Sequence, residues 1–187
     1  MKPTKNVILS LLLMVVICSI YRAIPGRPWG VAPQWAIAIF GGMVFAKDKK
    51  WAFILPLLSM FLSDLLYEVL YRNGIGVIPG FYGGQWLNYL LFTSLACIGF
   101  LFKKINVTSV LIGSLAAPTV FFLISNFLVW AGHGGYHHPM TLQGLMWCYS
   151  DGVPFYLNSL WSTPLFSAVL FGSYFLVTNP RDRARLA

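Results

Sequence analysis

The apolar positions of this chain fall into long runs, and charge, glycine or proline marks the end of each. Six runs are candidate membrane spans, at 6–23, 31–46, 51–71, 86–102, 107–132 and 153–177. Several approach the roughly 20 residues needed to cross a bilayer. The second is only 16 residues long, so it must tilt little, thin the bilayer locally or begin in the interface. This pattern predicts an all-α integral membrane bundle of six transmembrane helices, one transmembrane domain over residues 1–187. Two connections are minimal, 47–50 and 103–106. Three are long: 24–30 with two prolines, the glycine-rich 72–85, and 133–152. Long loops on one face of a compact scaffold are where binding usually resides. Met140, Leu142, Leu145, Met146 and Trp147 in the last of them predict a short interfacial helix over the mouth of the bundle.

Composition narrows the class. Apolar residues make up 58% of the chain and charged residues 10%, against roughly 45–50% and 25% in soluble domains. A soluble fold could not hide that much apolar surface. The aromatic share of 17% suits helix ends at two membrane interfaces, where amphipathic rings are favoured.

The net charge of +8 changes the picture only through its distribution. Lys2, Lys5, Lys47, Lys49, Lys50, Lys103, Lys104, Arg181, Arg183 and Arg185 fall on the side of the termini; Arg22, Arg27 and Arg72 fall on the other. Ten against three predicts cytoplasmic termini in a bacterial inner membrane by the positive-inside rule. No basic stripe with interleaved aromatics accompanies the charge, which excludes a nucleic-acid partner. Lys2 and Lys5 before an apolar run resemble a signal peptide, but the small-x-small cleavage pattern is missing, so the segment is read as a retained first span. Cys18, Cys97 and Cys148 are too scattered for a disulfide framework or a metal pair.

Ionisable and amide groups inside the bilayer are costly, so each is a candidate site residue. Asp64 lies in the outer half of the third span, and Glu68 one turn further on the same face. Asn126 and Asn158 count to the same depth, and Arg22 closes the first span there. Their convergence predicts a polar cavity opening outward; a structural network, such as Arg22 paired with Asp64, is the competing account. Trp29, Tyr82, Trp86, Tyr136, Trp147 and Tyr149 offer flat apolar contact from the loops. His133, His137 and His138 are metal-ligand candidates by residue type, without a carboxylate or Cys at ligand spacing. No nucleophile elbow and no phosphate loop is present, so neither an enzymatic activity nor a cofactor is expected.

Some residues resemble a known family. Arg22-Ala-Ile-Pro25, Trp29 to Ala38 running into Phe40-Gly41-Gly42, and Leu55-Pro56 with Ser63-Asp64 are similar to the opening of a family of small uncharacterised bacterial membrane proteins. Thr141 to Gly144, Cys148-Tyr149, Pro154-Phe155 with Asn158, and Leu170-Phe171-Gly172 resemble its closing part. That family is similar to the substrate-binding S-components of energy-coupling-factor (ECF) vitamin transporters, nearest to the solitary cobalamin transporter. The resemblance implies six helices, cytoplasmic termini and a vitamin pocket under the three outer loops, with Asp64 and Tyr82 matching its acidic residue and tyrosine. Val77 stands near the place of the cobalt-ligating cysteine, and Gly26-Arg27 around that of a histidine. The first span lacks the Ala-x-x-x-Ala face used to dock a shared transmembrane partner.

The function expected is uptake of a water-soluble vitamin or similar solute, cobalamin-like ones included, in an outward-facing pocket. Partners would be the solute, the lipid bilayer, and either an ECF-type transmembrane/ATPase module or another copy of the chain. The alternative is a non-transporting subunit or scaffold of a larger membrane complex.

Overall fold

The structure, a computed structural model, describes residues 5–178, with side chains from Leu11 onward. Every regular element among the described residues is helical: α1 (Lys5–Ala23), α2 (Gln34–Val44), α3 (Lys49–Arg72), α4 (Gln85–Ser94), α5 (Ala96–Gly99), α6 (Val107–Ala131) and α7 (Leu142–Val177). Three of these, α3, α6 and α7, are long and apolar enough to cross a membrane. Lys2, Arg181, Arg183 and Arg185, on which the expected orientation partly depends, lie outside the described residues.

The centre of the bundle is its shortest multi-turn apolar helix after α4. All eleven residues of α2 are buried, and α3 to α7 all pack against it. Phe40 meets the rings of Phe171 and Tyr174 at 5.1 and 5.5 Å, while Trp35 meets Phe92 and Phe121 at 5.4 and 5.8 Å. Where lipid is as apolar as leucine, helices associate through close packing and small residues. The contact between α2 and α5 is built that way. A Cβ on Gly99 would lie 2.7 Å from the backbone of Gly42, and one on Gly42 would lie 2.1 Å from Ala96 O.

Around α2, small polar side chains form the seams. Ser114 and Ser167 join α6 to α7 through their hydroxyls at 2.8 Å. Ser159, Ser162, Thr163 and Ser167 of α7 are all buried. Ser19 of α1 donates to Ser59 O of α3 at 3.0 Å. The outward faces are apolar: Ile54, Leu57, Phe61 and Leu65 run down α3, and Leu157, Trp161, Leu165 and Val169 down α7, all exposed. Stripes of that kind at helical spacing have no place on a water-soluble surface, and they fit a membrane protein.

Three boundaries differ from the sequence expectation. The stretch 86–102 is interrupted at Leu95; beyond it the chain tightens into i→i+3 turns, with Phe100 N–H donating to Cys97 O and Phe102 N–H to Gly99 O. The close approach of Gly99 to Gly42 occurs in this tightened part. The helix expected at 31–46 covers only 34–44, because Pro33 stands at its N-cap and Phe45 ends it. The short interfacial helix expected over the mouth is instead the start of α7, which runs unbroken for 36 residues through Pro154 and Pro164. Thr141 begins it by accepting from Gly144 N–H at 3.1 Å. At about 1.5 Å per residue, α7 is about 54 Å long, well beyond a hydrocarbon core of about 30 Å.

Candidate functional site

At the end of the bundle that carries the long loops, a cavity of about 510 Å³ opens, within the range typical of small-molecule sites. Its walls come from the end of α1, the 24–33 loop, α2, α3, the 73–84 loop, α4, α6 and α7.

One wall is held by a charge pair. Asp64 is 3% exposed. Arg22 donates to its Oδ1, and Gln85 Nε2 donates to its Oδ2 at 2.6 Å. Gln85 also donates to Gly80 O at 2.8 Å, which ties the glycine-rich loop to the pair. The loop lies directly on α3 there: a Cβ on Gly80 would fall 1.9 Å from Asp64 O, so only glycine fits. Arg22 also stacks on Tyr67, 5.3 Å from the ring centroid. A buried charge with its lone pairs satisfied from two helices is fixed in position, and the residues around it are fixed with it.

The remaining walls are largely aromatic. Trp29, Trp35, Tyr67, Tyr82, Phe92, Phe121, Phe122, Phe155 and Tyr156 all line the cavity. Phe122 and Tyr156 stack at 4.5 Å with an interplanar angle of 16°, and the Tyr156 hydroxyl lies 2.9 Å from Thr119 Oγ1. Gln34 and Trp35 belong to the same lining, and Gln34 Oε1 and Trp35 Nε1 have no hydrogen-bond partner. Buried polar atoms are rarely left so, since each costs about 1–3 kcal/mol.

Arg22, Trp29, Asp64, Tyr82 and Asn126, all expected from sequence, line this one space. Six other candidates do not, among them Tyr136 and Trp147, which are exposed and pack on the ring of His138. Glu68 accepts from Arg72 Nε at 2.6 Å and from Gly80 N–H at 3.1 Å, which makes it a clasp on the loop behind the cavity. Asn158 donates to Trp29 O at 2.9 Å and pins the first loop to α7. Tyr149 donates to Leu123 O at 2.9 Å, joining α7 to α6. Trp86 is 68% exposed and stands outside.

The histidines do not converge. His137 Nδ1 is 2.6 Å from His133 O, and His138 Nε2 is 2.6 Å from Asp151 Oδ2. Among the described residues no group of three or more His, Cys, Asp or Glu side chains gathers around one point. Asp151, thirteen residues along the chain from His138, is a neighbour that local spacing did not reveal.

Residues 2–185 match a family described as a family of unknown function, DUF6580. The chain belongs to the DUF6580 family. No curated protein and no solved structure matches it. What this DUF6580 member can do chemically must therefore come from its cavity. That space has fixed charge, flat apolar walls and unused hydrogen-bonding atoms, the equipment for holding a small molecule. It has no nucleophile–base arrangement among its lining residues: Ser125 hydrogen-bonds Phe122 O at 3.5 Å, and Ser159 donates to Gly30 O at 3.0 Å.

Sequence reasoning missed Arg27, Gln34, Trp35, Tyr67 and Tyr156 as lining residues. Gln34 carried a usable signal, being an amide at the start of an apolar run, the same signal that selected Asn126.

Proposed function

We propose that this protein is a multi-pass uptake protein of the bacterial cytoplasmic membrane that binds a water-soluble vitamin or similar small solute in the cavity beneath its long loops. The observation that carries this reading is the cavity itself. Five of the residues selected from sequence for solute binding share one space of about 510 Å³ with a satisfied charge pair on its wall. A pure packing network would close over such a pair, because dispersion contacts are lost around any void. In this reading α1, α2, α3, the α4–α5 pair, α6 and α7 are the six membrane-crossing or membrane-embedded segments, with both termini cytoplasmic and the cavity mouth outside. The resemblance to S-components supports the same arrangement.

The test is binding of a panel of water-soluble vitamins to the detergent-purified protein, alongside the Ser125→Phe variant. Ser125 lines the cavity, so the added ring occupies part of the space a solute would need. Saturable binding of a panel member that Ser125→Phe abolishes, with the variant still folded, supports uptake. Absence of binding across the panel removes the reading.

A second reading, a helper subunit of a larger complex, draws on a separate groove. It is about 390 Å³ in volume, lies between α1 and α7, and is lined by Leu13, Met14, Ile17, Phe166 and Val169. A stable stoichiometric membrane partner on gentle extraction, with no solute bound, would favour it.

A further inference from the structure

The charges lining the cavity do not cancel. Arg22, Arg27 and Asp64 are its ionisable wall residues of fixed charge. Arg22 and Asp64 form a pair, which leaves Arg27 as the excess. Both oxygens of Asp64 are already occupied, by Arg22 and Gln85. The nearest carboxylate along α3, Glu68, is held by Arg72 and Gly80. Arg27 therefore has no carboxylate partner among the described residues. Its Nε donates to Arg22 O at 3.3 Å, its Nη1 to Pro28 O at 3.3 Å and to Val31 O, and its Nη2 to Tyr67 OH at 3.5 Å. A guanidinium has five N–H donors. Four are engaged, all on neutral oxygens, and one on Nη2 is left.

Carbonyl oxygens position a guanidinium without neutralising it. A partly buried cation beside aromatic walls gains most from a partner of opposite charge. We infer that the solute is a ring-bearing organic acid with one carboxylate, its negative charge set against Arg27 and its ring laid against the aromatic wall that Phe122 and Tyr156 form. This rests on the uptake reading above and names the substrate class for it. The single excess charge selects the carboxylate over a phosphate ester, whose roughly −1.5 to −2 charge would exceed it. The unused Gln34 Oε1 and Trp35 Nε1 add one acceptor and one donor to the same lining.

The experiment uses matched pairs on one ring, benzoate against benzamide and indole-3-acetate against indole-3-acetamide. These are titrated against the full chain in detergent by isothermal titration calorimetry, because the indole probes would mask the emission of the protein's own tryptophans. The acids are expected to bind about tenfold more tightly than their amides, as a charge-assisted hydrogen bond would give. Arg27→Gln should erase that preference while leaving amide binding in place, and Arg27→Lys should keep most of it. Equal binding of acid and amide, or a preference that survives Arg27→Gln, overturns the inference and leaves the uptake reading standing, as does a neutral compound as the tightest binder in the vitamin panel. No binding by any pair or by any panel member overturns both. If Arg27→Gln does not fold, the acid-to-amide ratio of the unmodified chain and of Arg27→Lys decides the matter.

Discussion

The two ends of this bundle solve opposite packing problems with the same helices. Around α2, Phe45, Ile37, Ile39 and Leu55 are almost wholly buried, and none of them lines the cavity. Toward the long loops, α3, α6 and α7 carry on, but the space between them is kept open by a charge pair on one wall and rigid rings on the others. The difference teaches how side-chain size and stiffness decide whether the space between the same helices closes. Small residues let the first region collapse, as at Gly42 and Gly99. In the second, aromatic side chains too stiff to fold inward line a hollow that packing alone would remove.

The comparison breaks most severely at Asp64. Asp64→Leu leaves Arg22 without its partner on the cavity wall, and the expected loss is about 3–5 kcal/mol, read as reduced thermal stability in detergent. Adding Arg22→Leu should restore most of it, because replacing both members of a buried pair is often near neutral. A double variant no more stable than Asp64→Leu would mean that the pair does not act as a unit.

A pair of substitutions on α6 tests the dry and open regions directly. Ala117 is fully buried, and Ser125, about two turns on, lines the cavity. Ala117→Phe overfills a closed core and should cost at least about 1–3 kcal/mol. Ser125→Phe should leave stability within about 0.5 kcal/mol, the range of substitutions that disturb no packing. Equal destabilisation by both would show that the cavity closes in the membrane.

The smallest effect belongs to Glu68, one turn from Asp64 on the same helix. Its partner Arg72 is 76% exposed in the side chain, and solvent screens such i,i+4 pairs strongly. Glu68→Gln should therefore leave both thermal stability in detergent and solute binding nearly unchanged. A tenfold loss of binding would move Glu68 into the site.

Asp64 and Arg22 were legible in the sequence because ionisable groups within apolar runs are so few that each stands out. Trp29 and Tyr82 were legible as aromatic residues in long loops on the same face. Arg27 was not, since a loop arginine reads as an orientation signal until the 24–33 loop folds back over Arg22 and Tyr67. Asn158 was selected for the right depth but faces the wrong way; its partner, Trp29 O, lies 129 residues away in sequence and follows no periodic rule. The start of α7 was hidden by Ser150, Asp151 and Gly152, which read as loop residues. They are helical because that turn rests on α6, with Cys148 donating to Asn126 O at 3.4 Å and Tyr149 to Leu123 O. Tertiary contact overrode local preference there.

The complete burial of α2 also constrains how the protein is made. Eleven residues give a rod of about 16 Å, half the thickness that an isolated segment must bridge to be handed sideways into lipid. On the proposed six-segment reading, this helix is too short to cross the bilayer by itself. It is joined to α3 by four residues, Phe45 to Asp48, so α3 is positioned to carry it in as a hairpin. The heart of the molecule would then be the part whose insertion depends most on its neighbours.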